Sequence, residues 1–451
     1  MTSGSDNAVS RNTLAEGVIW KQILSFFFPV FLGAVFQQLY NTADTVIVGR
    51  FVGKEALAAV GVCATPVNLF VGFFGGLASG ATVYIAQQYG AGHKKELDHA
   101  IHTTLFLGFV FAVLFTALGM LFAGPILHAV HTEPEIYDQA LLYMRVYFSG
   151  MSAVVFYNMC AAVFRAMGNS RFPMLVLVIC CISNVGGDLL LVAVFGMGVL
   201  GAAIATVFAM VVSAVIVTAA LLRSPAIRFD RKKLSPKGSP IRKMLQLGLP
   251  VAVQSIMYSL SNLIILSNIN MFGTDMTAAF SAYEKLDSVF WMTSNAFGIA
   301  ITTFVGHNYG ARKYDRIRQG VKTCLLMDAV TAVFLSAMMA LFGRSLLMIF
   351  STDAGVLACG RELILMISPY YVTFVFVEAI GGGIRGTGHS LIPMIFTACG
   401  ICLLRILWLL FVAPLHHTIS MVLFCYPLTW VVTSALFLLY TKGGRQIVRQ
   451  A

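Results

Sequence analysis

Residues 181–206 of the chain are CISNVGGDLLLVAVFGMGVLGAAIAT. This stretch is apolar over a length that can cross a lipid bilayer, which takes about 20 helical residues. Asp188 lies inside it, Asn184 stands four residues earlier, and Thr206 follows a glycine-rich break. Because an ionisable side chain is costly in hydrocarbon, an aspartate within a membrane span predicts a proton or ion site.

The rest of the chain has the composition of a protein that crosses the membrane many times. Of its 451 residues, 58% are hydrophobic and 11% are charged, which lies outside the range of soluble domains. Apolar runs between residues 18 and 441 predict twelve transmembrane helices and an all-α integral membrane fold. Residues 1–17 lack the pattern of a cleaved signal peptide, so we expect the first spanning helix to direct insertion.

The net charge of +11 predicts topology in the membrane and not binding to nucleic acid. Basic residues, Arg385 among them, concentrate in alternate loops, in both tails and in a polar linker at 223–241. The positive-inside rule makes these segments cytoplasmic and the chain a multi-pass protein of the cell (inner) membrane. We expect a tail at 1–17, an N-lobe of six helices at 18–222, a C-lobe of six helices at 242–441 and a tail at 442–451.

The two halves of the chain repeat with an offset of 220 positions. Matching pairs are Gly53 and Gly273, Tyr89 and Tyr309, Arg165 and Arg385, Ser170 and Ser390, and Pro173 and Pro393. Each half has an even number of predicted helices, so both halves share one orientation in the membrane. In transporters, such repeats place a substrate path between the halves and allow alternating access by rocking.

Three further polar residues fall near the depth of Asp188. Asn184 lies on the same helical face, four residues away. Asp188 precedes the turn at Gly196 by about eight residues, which places it about 12 Å below the outer end of its helix. Thr206 and Asp44 lie at a similar distance from that end. Two carboxylates, an amide and a hydroxyl suit Na⁺ as hard oxygen ligands, and two close carboxylates also suit a proton carrier.

A structural alternative is that Asp44 and Asp188 only pin neighbouring helices through hydrogen bonds. Two acids at one depth would be a costly way to do so. The repeat bears on this choice, because the equivalent positions in the second half carry no acid. Those positions are Ile264, Leu404, Trp408 and Tyr426.

A set of short motifs extends this interpretation over residues 18–441. They are Pro29, Asp44 and Gly49 in the first helix, ALAA at 56–59, the YGA turns at Tyr89 and Tyr309, FRAMGNS at 164–170, IRGTGHS at 384–390, and N-x3-D-x7-GMGVLGAAIAT from Asn184. Together they resemble the multidrug and toxic compound extrusion family, and its damage-inducible branch in particular. In another branch the Na⁺ site uses an acid on helix seven, where this chain has Ser259.

The resemblance implies two six-helix lobes arranged as a V and a secondary active antiporter. Such a protein exports organic, often cationic compounds in exchange for H⁺ or Na⁺, without a cofactor, and we expect it to act as a monomer. The coupling residues that it implies, which would also hold Na⁺ in a sodium-coupled protein, are Asp44, Asn184, Asp188 and Thr206. It adds Asn158 on helix four as a further member of this network.

The second half carries its own charges inside predicted helices. They are Glu284, Lys285, Asp287, Asp328, Glu378 and Arg405. These residues form either a structural network, in which Lys285 or Arg405 neutralises Glu378 or Glu284, or a surface that faces the substrate. Glu378 is the strongest substrate-facing candidate because its repeat partner, Asn158, is also polar, and Glu284, Lys285 and Asp287 are the others.

Two other functions compete with efflux as explanations of this sequence. A flippase for a lipid-linked precursor belongs to the same superfamily, but we expect it to have a more basic cavity. An intramembrane enzyme needs a nucleophile with its base, or a metal motif such as H-E-x-x-H. The sequence contains no such motif, so we expect a transporter and not an enzyme.

Overall fold

A computed structural model describes residues 13–224, 238–416 and 418–441. Most of the predicted tails and linker, together with His417, therefore lies outside the described residues. The described chain is built from helices. They are α1 (Ile19–Phe51), α2 (Lys54–Gly90), α3 (Lys94–Ala129), α4 (Pro134–Ser149), α5 (Met151–Ala166), α6 (Arg171–Asp188), α7 (Gly198–Arg223), α8 (Gly238–Ile269), α9 (Thr274–Gly310), α10 (Tyr314–Leu347), α11 (Ala354–Ile367), α12 (Tyr371–Gly386), α13 (Leu391–Thr397), α14 (Leu404–Leu407), α15 (Ile419–Leu423) and α16 (Cys425–Thr441).

The predicted number of membrane spans is confirmed. Within the described ranges, 11 helical stretches are long and apolar enough to cross a membrane. A twelfth is added when α4 and α5, which meet at a bend of 43°, are taken as one span. Gly150 lies at that bend, against the side chain of Val207 on α7. The all-α membrane architecture follows directly from the length and spacing of the apolar runs.

The internal repeat is also confirmed, because helices begin and end at matching positions. Helix α9 starts and ends 220 residues after α2, and α12 does the same relative to α5. The turns match as well: Gly53 and Gly273 have φ of 120° and 95°, and Gly168 and Gly388 have φ of 88° and 99°. Glycine adopts this left-handed backbone without a steric penalty, which explains its presence at these turns in both halves.

The helices form two compact units. Unit 1 contains the described residues of Phe28–Ala252, and unit 2 contains Leu14–Phe27 and the described residues from Val253 onward. Helix α1 therefore begins in unit 2 and continues in unit 1, whereas α8 does the reverse. Both changes of unit occur close to a proline inside the helix, Pro29 or Pro250, where the backbone lacks one hydrogen bond. The predicted lobe limits at 18–222 and 242–441 stay a prediction.

Small residues hold the start of α8 against α2 within unit 1. A side chain at Gly76 would collide with the backbone of Ala252, and one at Gly80 would collide with the backbone of Gly248. Gly76 and Gly80 are four residues apart and so share one face of α2. Glycines at this spacing let two membrane helices approach closely enough for backbone contact.

Polar groups hold the start of α1 within unit 2. Asn308 donates from Nδ2 to the carbonyl of Leu14, at 3.0 Å. The guanidinium of Arg316 donates to the carbonyl of Gly17 and to Oε1 of Gln22, both at 3.0 Å. Residues 14–17 of the predicted N-terminal tail are thus anchored on the turn between α9 and α10.

Candidate ion-coupling site

Three helices of unit 1 bring the predicted coupling residues together. Helix α1 supplies Asp44, α6 supplies Asn184 and Asp188, and α7 supplies Thr206. All four residues are buried, with exposed fractions of 7%, 1%, 0% and 5% respectively. The four residues that the sequence places at one depth therefore share a location inside one unit.

The α6–α7 interface explains why Asn184 meets Thr206. Gly187 lies against Ala205, and a Cβ at Gly187 would come within 3.0 Å of the Ala205 Cβ. This close approach lets the Asn184 amide nitrogen donate to the Thr206 hydroxyl at 3.3 Å. The Thr206 hydroxyl in turn donates to the Ala202 carbonyl at 2.9 Å. The Asn184 carbonyl oxygen is left without a hydrogen bond.

The two carboxyl groups face each other. Asp44 and Asp188 lie within the reach of one side-chain hydrogen bond. Both oxygens of Asp188 and Oδ1 of Asp44 are buried and accept no hydrogen bond. An ionised carboxylate can only accept hydrogen bonds, so the pair needs a proton between its oxygens or a cation beside them.

No fixed cation in the described part of the chain meets this need. Among residues 13–224, 238–416 and 418–441, no basic side chain forms an ion pair with Asp44 or Asp188. A buried charge without a partner costs several kcal/mol. With the Asn184 carbonyl, the site presents four buried acceptor oxygens that lack a donor. This set fits a mobile H⁺ or Na⁺.

A π-helical segment follows Asp188 directly, at Leu189–Val194. The backbone of Leu191 in this segment packs on Gly201 of α7. Short π-helical turns inside α-helices are frequent at functional sites because they interrupt the regular hydrogen bonding. The irregular backbone thus coincides with the acid pair.

Three tyrosines that the sequence argument did not single out surround Asp44. Tyr143 and Tyr147 on α4 and Tyr40 on α1 interact electrostatically with its carboxylate. Tyr143 and Tyr147 are buried, and their rings stack at 6.3 Å. Their spacing of four residues at the depth of Asp44 is the sequence signal that would have found them.

A family comparison identifies the chain. The family model described as MatE matches residues 29–190 and 250–411, once in each half of the chain. The chain belongs to the MatE family. The match to each half also fits the internal repeat of the helices.

Known relatives cover nearly the whole MatE chain. It is 26% identical over 387 residues to the probable multidrug resistance protein YoeA of Bacillus subtilis, covering 84% of each protein. It is 26% identical over 420 residues to the FAD transporter of Shewanella oneidensis, covering 88% of each. A solved outward-facing structure, described as a multidrug resistance MATE family transporter, superposes with a TM-score of 0.90 at 22% identity, covering 97% of this chain and 98% of that one. This likeness supports the fold.

Asn158, the further residue implied for the network, does not bond to the acid pair in this MatE chain. Its amide nitrogen donates to the Val154 carbonyl of its own helix at 2.9 Å. The side chain is half-buried. Its membership of the coupling network stays a prediction.

In unit 2, Glu378 pairs with a residue that the sequence argument assigned to a loop. Its Oε2 lies 3.0 Å from Nη2 of Arg385, in the last turn of α12. The expectation that Lys285 or Arg405 neutralises Glu378 is therefore wrong. Residues seven apart lie two turns apart on one helical face, and α12 extends far enough to include Arg385.

The other charges of unit 2 differ in their surroundings. Asp287 accepts hydrogen bonds from the Tyr371 hydroxyl at 2.5 Å, the Tyr283 hydroxyl at 3.2 Å and the Trp291 indole at 2.6 Å. Three donors satisfy much of its acceptor capacity. Glu284 and Lys285, on the same helix, are exposed. Asp287 is thus anchored by aromatic groups, whereas its two neighbours are exposed.

Proposed function

We propose that this MatE chain is a secondary active multidrug efflux antiporter of the cell membrane. It exports organic, often cationic compounds in exchange for H⁺ or Na⁺ by alternating access, with both termini in the cytoplasm. The observation that carries the proposal is the buried pair of Asp44 and Asp188, in which Oδ1 of Asp44 and both oxygens of Asp188 lack a donor. Membership of the family and the multidrug resistance name of a relative support the export of organic compounds.

The acid pair couples transport through its charge. With a proton or Na⁺ bound, the net negative charge of the pair falls, which lowers the cost of enclosing it in the membrane. Without the ion, Asp44 and Asp188 repel each other and the site needs water or another cation. A conformational change that closes the site is therefore favoured when the ion is bound, and the imposed ion gradient gives the cycle its direction.

Asn184 and Thr206 position the ion in this scheme. Thr206 holds the amide nitrogen of Asn184, which leaves the Asn184 carbonyl oxygen available beside the carboxylates. Under Na⁺ coupling this oxygen is a ligand, and under H⁺ coupling it accepts from a protonated carboxyl. The same four side chains therefore serve either ion.

Acidic side chains of unit 2 attract the cargo. We assign this role to the exposed Glu284 and to Glu378, whose charge Arg385 partly compensates at 3.0 Å, while Lys285 and Asp287 set the local charge around them. A carboxylate in a low-dielectric cavity attracts an organic cation more strongly than it does in water. No relative named above is a lipid flippase, so that alternative gains no support.

The test is dye export from proteoliposomes with a pH gradient or a Na⁺ gradient imposed alone. We expect one of the two gradients to drive the export of a cationic dye. Asp44→Asn or Asp188→Asn should abolish that export while the purified protein remains monodisperse. Asp138→Asn is the matched control, since it makes the same change at an exposed position of unit 1.

Two results would overturn the proposal. Full export by both the Asp44→Asn and the Asp188→Asn variants would remove these residues from coupling. Export by the wild-type protein that neither gradient accelerates would exclude an H⁺ or Na⁺ antiporter altogether.

A further inference from the structure

The second unit buries a cation at the place where the first unit buries its acids. Arg405 lies on α14, close to the repeat equivalents of Asn184 and Asp188, which are Leu404 and Trp408. Its exposed fraction is 2%. In the part of the chain that the structure describes, no carboxylate forms an ion pair with it. A buried guanidinium without a counter-charge carries a large desolvation cost.

Neutral groups satisfy only part of this guanidinium. Nη1 donates to Oδ1 of Asn262 at 3.1 Å and, more weakly, to the Ser261 hydroxyl at 3.4 Å. The ring of Tyr426 lies 4.7 Å from the Arg405 Cζ atom. Nε is buried and has no acceptor. An arginine fork that keeps a free N–H is suited to receive a planar or tetrahedral oxyanion.

A second donor without an acceptor lies near the same tyrosine. The indole N–H of Trp430 is buried and makes no hydrogen bond, and its ring lies 5.5 Å from that of Tyr426. In unit 1 the atoms without partners at the acid pair are acceptor oxygens, whereas around Tyr426 they are N–H donors. The missing partner of the Arg405 Nε and Trp430 N–H groups is therefore an acceptor, and a negatively charged one compensates Arg405 best.

The local backbone and exposure also suit a ligand site. π-helical segments flank α14 on both sides, at Ala398–Leu403 and Trp408–Val412, and such turns are frequent at functional sites. Asn262 is exposed and Tyr426 is half-buried. The cluster of Arg405, Asn262, Ser261 and Tyr426, here called the Arg405 cluster, thus extends from the interior of unit 2 to its surface.

We propose that the Arg405 cluster binds a carboxylate or phosphate group of the transported compound. The protein would then accept organic anions or zwitterions as well as cations, with the negative group on Arg405. That the bound group belongs to a transported compound rests on the proposed export function. The binding itself does not, so it can be tested without any ion gradient.

The experiment compares two dyes that share a xanthene ring system and differ in charge. Binding of anionic 5-carboxyfluorescein and of cationic rhodamine 6G to the full-length protein in a neutral detergent is followed by fluorescence anisotropy. Arg405→Gln should weaken carboxyfluorescein binding by about tenfold or more, the equivalent of one charge-assisted hydrogen bond. Rhodamine binding should change by less than about twofold. Arg344→Gln removes an equal charge at an exposed position of unit 2 and should change neither.

A second variant and a lipid-binding measurement complete the test. If Arg405→Gln is not monodisperse, Arg405→Lys replaces it. That variant keeps the charge and loses the fork, so it should still weaken carboxyfluorescein selectively. Equal changes for both dyes, or no change for either, would overturn the proposal. A lipid headgroup is distinguished by thermal stabilisation with phosphatidylglycerol against phosphatidylcholine. Loss of that stabilisation in Arg405→Gln, with carboxyfluorescein binding intact, would assign the site to lipid and refute a cargo role.

Discussion

Thr206→Val tests whether the Asn184 carbonyl is held in place for the coupling ion. Valine keeps the shape of threonine and removes the hydroxyl, which accepts from Asn184 at 3.3 Å. The amide nitrogen then loses its acceptor inside a buried interface. The Asn184 side chain is released to rotate, and its oxygen no longer has one fixed position beside Asp44 and Asp188.

The size of the effect follows from the strength of that bond. Hydrogen bonds between membrane helices average about 0.6 kcal/mol and reach about 1.7 kcal/mol. If the full free energy of this hydrogen bond contributes to orienting the ion ligand, its loss raises the half-saturating concentration of the coupling ion between about threefold and about eighteenfold. The maximal rate stays near that of the wild type, since both carboxylates remain.

The assay measures initial rates of dye export at a series of Na⁺ concentrations or pH values, whichever gradient drives transport. Thr218→Val is the matched control, because it makes the same change on α7, three turns away, where the hydroxyl forms a hydrogen bond with Cys160 at 3.5 Å. Asn184→Leu, alone and combined with Thr206→Val, completes a double-mutant cycle. If Thr206→Val lowers thermal stability but leaves the half-saturating concentration unchanged, the bond serves folding alone and the reasoning fails.

Two further changes test the scaffold. Tyr371→Phe keeps the ring stacked on Phe290 at 4.0 Å and removes the 2.5 Å hydrogen bond to Asp287. We expect the free energy of unfolding, measured by SDS titration, to fall by about 1.5 kcal/mol or more, and to stay unchanged in the control Tyr370→Phe at the exposed neighbour. An equal response of the two variants would contradict the anchoring of Asp287. Gly80→Leu places a side chain against the backbone of Gly248 and should abolish the expression of monodisperse protein. The control Gly61→Leu, at a position where a Cβ meets open space, should be tolerated. Normal expression of Gly80→Leu would refute the close packing of α2 and α8.

The spans and the repeat could be predicted from sequence because the bilayer imposes a length and because duplicated turns keep their glycines. The division of α1 and α8 between the two units could not. Lipid and the protein interior are similarly apolar, so hydropathy does not indicate in which unit each half of α1 or α8 packs. That information resides in shape, as in the fit of Gly76 and Gly80 against Ala252 and Gly248.

The candidate site could likewise be predicted only in part from the sequence. Asp44, Asn184, Asp188 and Thr206 could be placed together because charge and depth are both readable along a helix. The tyrosines around Asp44 were missed because tyrosine is also common at membrane interfaces for unrelated reasons. The partner of Glu378 was missed because the end of α12 was set too early, which placed Arg385 in a loop.

The repeat allows the two units to be compared at matching positions, and there their chemistry has opposite sign. Unit 1 encloses two carboxyl groups, with Asn184 and Thr206 as neutral partners. At the matching place, unit 2 encloses the Arg405 guanidinium, with Asn262 and Tyr426 as neutral partners. A scaffold that only needed stable helix packing would favour apolar residues at both places, since an apolar replacement of a buried charge is often neutral or stabilising. Each unit instead retains a fixed charge that its own described residues leave uncompensated, and each charge sits beside π-helical backbone. The two charges are best explained by two mobile partners of opposite sign, a coupling cation in unit 1 and an anionic group of the cargo in unit 2.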